Sequence, residues 1–120
     1  MAIGNSFGLM LRDVRKKSRN SLGDMALYLD ISSQYLSDIE RGHRRPMRSG
    51  LVNRAALFLG VDAVPLHLEA SRSSGRFMLS VIGKSDKALE FGAALVQMWD
   101  GLDGDTFDKM HKVLMERRAK

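Results

Sequence analysis

The stretch Met25-Ala26-Leu27-Tyr28-Leu29-Asp30-Ile31-Ser32-Ser33-Gln34-Tyr35-Leu36-Ser37-Asp38-Ile39-Glu40-Arg41-Gly42 reads as two short helices joined by a tight turn. Met25, Ala26 and Leu29 repeat at helical spacing, and Ser21 is suited to cap a helix over Leu22–Leu29. Asp30-Ile31-Ser32 forms the connection. Ser32 or Ser33 then caps a second helix that runs to about Arg41 and ends at Gly42. The small Ala26 suits a close approach of the two helices, Ile31 fills the angle between them, and Leu36 and Ile39 anchor the second helix on a core. Ser33, Gln34, Ser37, Asp38 and Arg41 are left pointing outward. Such a face suits DNA, because short polar groups can donate to or accept from base edges. It also suits a plain solvated corner of an all-helical protein.

Outward from this stretch the chain stays helical. Phe7, Leu11 and Val14 share one face of a helix over about 5–18. Pro46 closes the loop after the second helix of the pair, and Ser49 is suited to cap a helix carrying Leu51, Val52, Ala55, Ala56, Phe58 and Leu59, which Gly60 ends. A short fifth helix fits 64–70. The Ser/Arg/Gly-rich stretch 71–76 has the composition of a linker. Beyond it, Ser85-Asp86 opens a helix ending near Trp99, and Asp103 to Asp105 start a last helix to about Arg118. The expected organisation is all-α, with a head over 1–70, a linker over 71–76 and a helical region over 77–120.

Charge separates the two halves. Residues 1–60 hold ten Lys/Arg against five Asp/Glu, whereas residues 61–120 hold nine against nine, so the net +5 lies entirely in the first half. A basic half favours a polyanionic partner through release of condensed counterions. Cysteine is absent, which excludes disulfides, thiol catalysis and cysteine-bound zinc. His43, His67 and His111 are too far apart for metal-ligand spacing. Gly83-Lys84-Ser85 ends like a phosphate-binding loop, but Met78 stands where that loop needs glycine. The run from Asp100 to Asp108 has Phe107 at a required calcium-ligand position. Neither catalysis nor a cofactor or metal is expected. No apolar run approaches the ~18 residues of a membrane span, and the first residues lack the pattern of a secretion signal. A cytoplasmic protein is expected.

The Met25–Gly42 string, with Leu11-Arg12-x-x-Arg15 before it and Arg45-Pro46 after it, closely resembles the helix-turn-helix of the lambda-repressor-like family, also called Cro/CI or XRE. The resemblance extends over about 7–66 and is carried most specifically by Tyr35-Leu36-Ser37-x-Ile39-Glu40-Arg41-Gly42. It implies a five-helix head whose third helix enters the major groove of an operator in double-stranded DNA. By that resemblance Ser33, Gln34, Ser37 and Asp38 are the base-reading positions, with Gln34 foremost because a Gln amide can pair bidentately with adenine. Ser21, Ser32, Tyr35, Arg41, His43, Arg44 and Arg45 are the candidate phosphate contacts, Tyr35 either on the DNA edge or against helix 2. Arg15 and Glu40 match a structural ion pair linking helix 1 to helix 3. Two positions depart from the family: Leu22 replaces a common phosphate-binding Gln, and Asp30 replaces a common turn Gly. The Asp30 change is expected to be tolerated.

The C-terminal region is richer in apolar residues than one narrow stripe requires. Leu89, Phe91, Leu95 and Trp99 on the first helix, with Phe107, Met110 and Leu114 on the second, are expected to pair with a second copy in a two-fold homodimer. A hairpin folded back on the head is the alternative arrangement. The alternative function is an antitoxin or adaptor whose C-terminal helices bind another protein.

Overall fold

The computed structural model describes residues 6–119 and contains, among them, seven α-helices and no strand. They are α1 (Ser6–Lys17), α2 (Leu22–Leu29), α3 (Ser33–Glu40), α4 (Ser49–Leu59), α5 (Ala63–Ser74), α6 (Asp86–Met98) and α7 (Gly104–Arg118), with one 3₁₀ turn at Trp99–Gly101. The first residues of the helix expected from position 5 lie outside the described residues. The chain divides into two compact units between Leu79 and Ser80.

The first unit contains α1 to α5. Its core gathers Phe7 and Leu11 from α1, Met25, Ala26 and Leu29 from α2, and Leu36 and Ile39 from α3. Met47, then Leu51, Val52, Ala55, Ala56 and Leu59 of α4, and Leu66 of α5 complete it. Helix α1 packs on both α3 and α5, while α2 packs on α3 and α4. Gly8 sits where α1 crosses the end of α3. A Cβ there would collide with the carbonyl oxygen of Ile39 and lie 2.7 Å from that of Glu40. Glycine is costly inside a helix, yet here its missing side chain permits the contact.

Two differences from the sequence expectation concern helix ends. Ser49 is the first residue of α4 and not its cap; Arg48 occupies that position without a side-chain capping bond. The carbonyl of Arg48 accepts from Leu51 and Val52, both buried, so burial sets where the helix starts. Helix α5 runs four residues beyond the expected 64–70, through most of the stretch expected to be a linker, and ends at left-handed Gly75. The serines that resemble a linker satisfy themselves inside the helix: Ser71 Oγ donates to the Leu68 carbonyl and Ser74 Oγ to that of Ala70. Ser73 ties the helix end to α1, accepting from the Phe7 N–H at 3.2 Å and lying 3.0 Å from the Ser6 hydroxyl. At its other end Asp62 caps α5 through the Val64 N–H, and Pro65 lies in the first turn, where no donor is missed.

The second unit consists of α6, the 3₁₀ turn and α7. Ser85 caps α6 and Asp103 caps α7, each side chain accepting a backbone N–H three residues on. The Thr106 bonds hold the Asp103 carboxyl below its ordinary pKa. Trp99 and Phe107 meet edge-on at 5.2 Å. Neither α6 nor α7 has a buried residue.

Arg15 and Glu40 form the fold's central polar contact. Arg15 Nε donates to Glu40 Oε2 at 2.7 Å and Nη2 to Oε1 at 2.9 Å, a bidentate pair. The third donor, Nη1, reaches the Asn20 carbonyl at 3.0 Å. The Glu40 hydrogen bonds raise the pKa of Arg15 above its ordinary value. The Glu40 side chain is only 4% exposed, so its charge depends on this partner. Arg15→Ala is expected to destabilise the protein by about 3 kcal/mol, since it strands a buried carboxylate. Denaturant unfolding measures this directly, and a loss below about 0.5 kcal/mol would mean that water takes over the role of Arg15.

Candidate nucleic-acid interface

The interface is assembled from the α2–turn–α3 unit upward. Ser21 caps α2 by accepting from the Asp24 N–H at 3.0 Å, which leaves its hydroxyl hydrogen for an outside acceptor. At the other end of α2, Asp30 is left-handed, with φ 58° and ψ 44°. Its N–H and that of Ile31 return to the carbonyls of Leu27 and Ala26, closing the helix in a Schellman arrangement. Ile31 then packs against the core in the angle between the helices. Leu22, unable to bind a phosphate, packs against the core as well.

Ser32 caps α3 through the Tyr35 N–H at 3.0 Å. Leu36 and Ile39 are buried, fixing which face of α3 is turned away. Ser33 and Gln34 are exposed near the helix start, whereas Ser37 and Asp38 are half-buried. Gln34 and Asp38 are linked: Gln34 Nε2 donates to Asp38 Oδ1 at 2.9 Å. Arg41 Nη2 donates to the same oxygen at 3.1 Å. Sequence reasoning missed this network, although the spacings of four and three residues place all three side chains on one helix face.

After α3, Gly42 is left-handed at φ 79° and turns the chain into an exposed run of His43, Arg44 and Arg45. The Arg44 guanidinium lies over the Tyr35 ring, 5.5 Å from its centroid. Tyr35 itself is half-buried against the core, so its ring is held from below by packing and from above by a cation. Arg45 borders a different feature, an open groove of about 380 Å³ that Arg48, His67 and Arg76 also line. Arg41 and Arg44 are thus gathered at α3, and Arg45 stands apart. Another unanticipated contact is Arg54, which donates to the Tyr28 carbonyl at 2.7 Å and lies over its ring, tying α4 to α2.

Residues 11–63 match the helix-turn-helix family. Over these residues the head carries a helix-turn-helix of the lambda-repressor-like type. Two crystal structures of the clp gene regulator ClgR from Corynebacterium glutamicum resemble the chain. One is 27% identical with a TM-score of 0.50, covering 65% of this chain and 96% of that one. The other is 24% identical with a TM-score of 0.51, covering 82% of this chain and 93% of that one, and shows the fold alone. No curated protein matches the chain. No helix among the described residues is long and apolar enough to cross a membrane.

Arg41, Arg44 and Arg45 are exposed beside and beyond α3, so phosphate binding is expected to track them. Arg44→Ala and Arg45→Ala are each expected to weaken binding to random duplex DNA and to flatten the slope of log affinity against log salt by about one unit. Anisotropy titrations at several salt concentrations measure this. Unchanged slopes in both variants would move the backbone contacts to other residues.

Proposed function

We propose that the chain is a sequence-specific transcription regulator in the cytoplasm. In this account it binds a palindromic operator as a homodimer and reads bases with α3 in the major groove. The observation that carries the proposal is the outward polar face of α3, with Ser33 and Gln34 exposed on a helix whose opposite side is locked by Leu36 and Ile39. Ser33, Gln34 and Ser37 are the proposed base readers. Ser21, Ser32, Tyr35, Arg41, His43, Arg44 and Arg45 are the proposed positioning contacts to phosphate. A dimer whose heads lie about 34 Å apart would meet successive major grooves on one side of the duplex. Occupying a promoter in that way excludes polymerase, which makes repression the simplest outcome.

The second unit supports dimerisation by what it lacks. Leu89, Phe91, Trp99 and Leu114 are exposed, and Leu95, Phe107 and Met110 are half-buried. A pair of helices with so much uncovered apolar surface and no core of its own needs a partner. A second copy supplies one with two-fold symmetry and matches a palindromic site. An adaptor or antitoxin role, with another protein covering α6 and α7, draws on the same exposed surface.

A fragment ending at Leu79 keeps every residue of the core cluster and is expected to fold as a monomer that binds operator weakly, having lost its linked second head. Sedimentation of fragment and full chain tests this. A dimeric fragment would place the interface in the head, and a full chain that is monomeric alone would favour the adaptor role.

The reading of bases has its own test. Gln34→Ala is expected to cost about 1–3 kcal/mol on the preferred operator, much less on an operator altered at the contacted base pair, and little on random DNA. The measurement is a cycle of two proteins against two operators at one salt concentration. Additive effects at every operator position for Gln34, Ser33 and Ser37 would rule out α3 as the reading element.

A further inference from the structure

We infer that Asp38 is a positioning residue: by holding the Gln34 amide and the Arg41 guanidinium on one oxygen, it sets the orientation in which Gln34 meets its base pair, and it reads no base itself. The inference rests on α3 being the reading helix, as proposed above.

Its basis is the geometry of Asp38 Oδ1. That oxygen accepts from Gln34 Nε2 at 2.9 Å and from Arg41 Nη2 at 3.1 Å, which occupies both of its lone pairs. The Asp38 side chain is 21% exposed, against 50% for Arg41. The carboxylate is thus covered by its neighbours more than it is presented to a partner. For Gln34 the bond removes an ambiguity. An amide turned the other way would set its carbonyl oxygen against a carboxylate, two acceptors face to face. With Nε2 committed to Asp38, the amide keeps one N–H and the Oε1 acceptor in a defined relation. One donor beside one acceptor is the pattern that adenine matches in the major groove. An unheld Gln side chain would have to be ordered on binding, at a cost in rotamer freedom.

Arg41 enters on the electrostatic side. A lone carboxylate on a groove-entering helix would repel phosphates, and the ion pair offsets that charge. The same pair holds Arg41 back from the DNA backbone. Removing the carboxylate should therefore act in two opposite directions: general affinity for DNA rises while discrimination at the Gln34 base pair falls. A residue that merely stabilises the helix would not separate the two.

The test uses the full chain with three probes: the duplex that the wild-type protein selects from a random pool, its single base-pair variants, and random duplex DNA. Asp38→Ala is expected to bind random duplex at least as tightly as wild type. It should lose discrimination roughly tenfold at the base pair coupled to Gln34. Asp38→Asn, whose Oδ1 can accept from the same two donors, should retain most of that discrimination. In a Gln34→Ala background, Asp38→Ala should change discrimination no further. In the free protein, the Gln34 side-chain amide resonances should shift in Asp38→Ala and stay near wild type in Asp38→Asn. Discrimination lost at a different base pair, and still lost in the Gln34→Ala background, would mean that Asp38 reads a base directly and would overturn the inference. Wild-type discrimination in Asp38→Ala would overturn it equally. Both outcomes leave α3 as the reading helix, whereas the absence of any base pair coupled to Gln34 removes that premise and the inference with it.

Discussion

The meeting of α1 with the last turn of α3 constrains the rest of the head. Gly8 brings the α1 backbone against the Ile39 and Glu40 carbonyls, and about two helix turns further along, Arg15 closes a bidentate pair on the buried Glu40. Neither contact tolerates a shift. A side chain at position 8 would drive the helices apart, and a displaced Arg15 would leave a carboxylate in the interior without compensation. A buried ion pair adds little net stability compared with apolar packing; here its consequence is geometric. It admits one placement of α3 on α1, and the outward face of α3 is fixed with it.

From that placement the polar face follows without special devices. Leu36 and Ile39 take the inward positions, so Ser33 and Gln34 are turned to solvent. Asp30 closes α2 in the left-handed conformation that glycine would adopt more easily, and Ile31 fills the corner it creates. The turn carries some backbone cost, which the packing of Ile31 and the two returning N–H bonds offset. The network through Asp38 then adds order to side chains that would otherwise be free.

The second unit obeys a different logic. Its helices are well capped, by Ser85 and Asp103, so their ends are specified locally. Their apolar residues are left uncovered. Local signals make the helices. The head, by contrast, closes a core between Phe7 and Leu66. This division sets a head that closes its own core against two helices that bury no residue.

Much was legible in the sequence because it depended on short-range rules. Ser21, Gly60 and the pair Ser32-Ser33 mark helix ends by capping chemistry, and the structure puts the α3 cap at Ser32. The periodicity of Leu36 and Ile39 determined which face of α3 is buried, and the Tyr35–Gly42 string pointed to the helix-turn-helix. Three features needed the tertiary structure. The stretch 71–76 has a linker's composition, but Ser73 bonds to α1 and draws α5 on to Ser74, a contact across more than sixty residues that composition cannot carry. Gly8 looks like a weak point in a helix until the carbonyls of α3 are found against it. The rotamers that join Gln34, Asp38 and Arg41 depend on which surfaces are already covered. Local sequence thus determined the helices and their faces, since capping and periodicity act within a few residues. The fold alone decided how those helices meet and what their side chains touch, since that depends on groups distant in the chain arriving at one place.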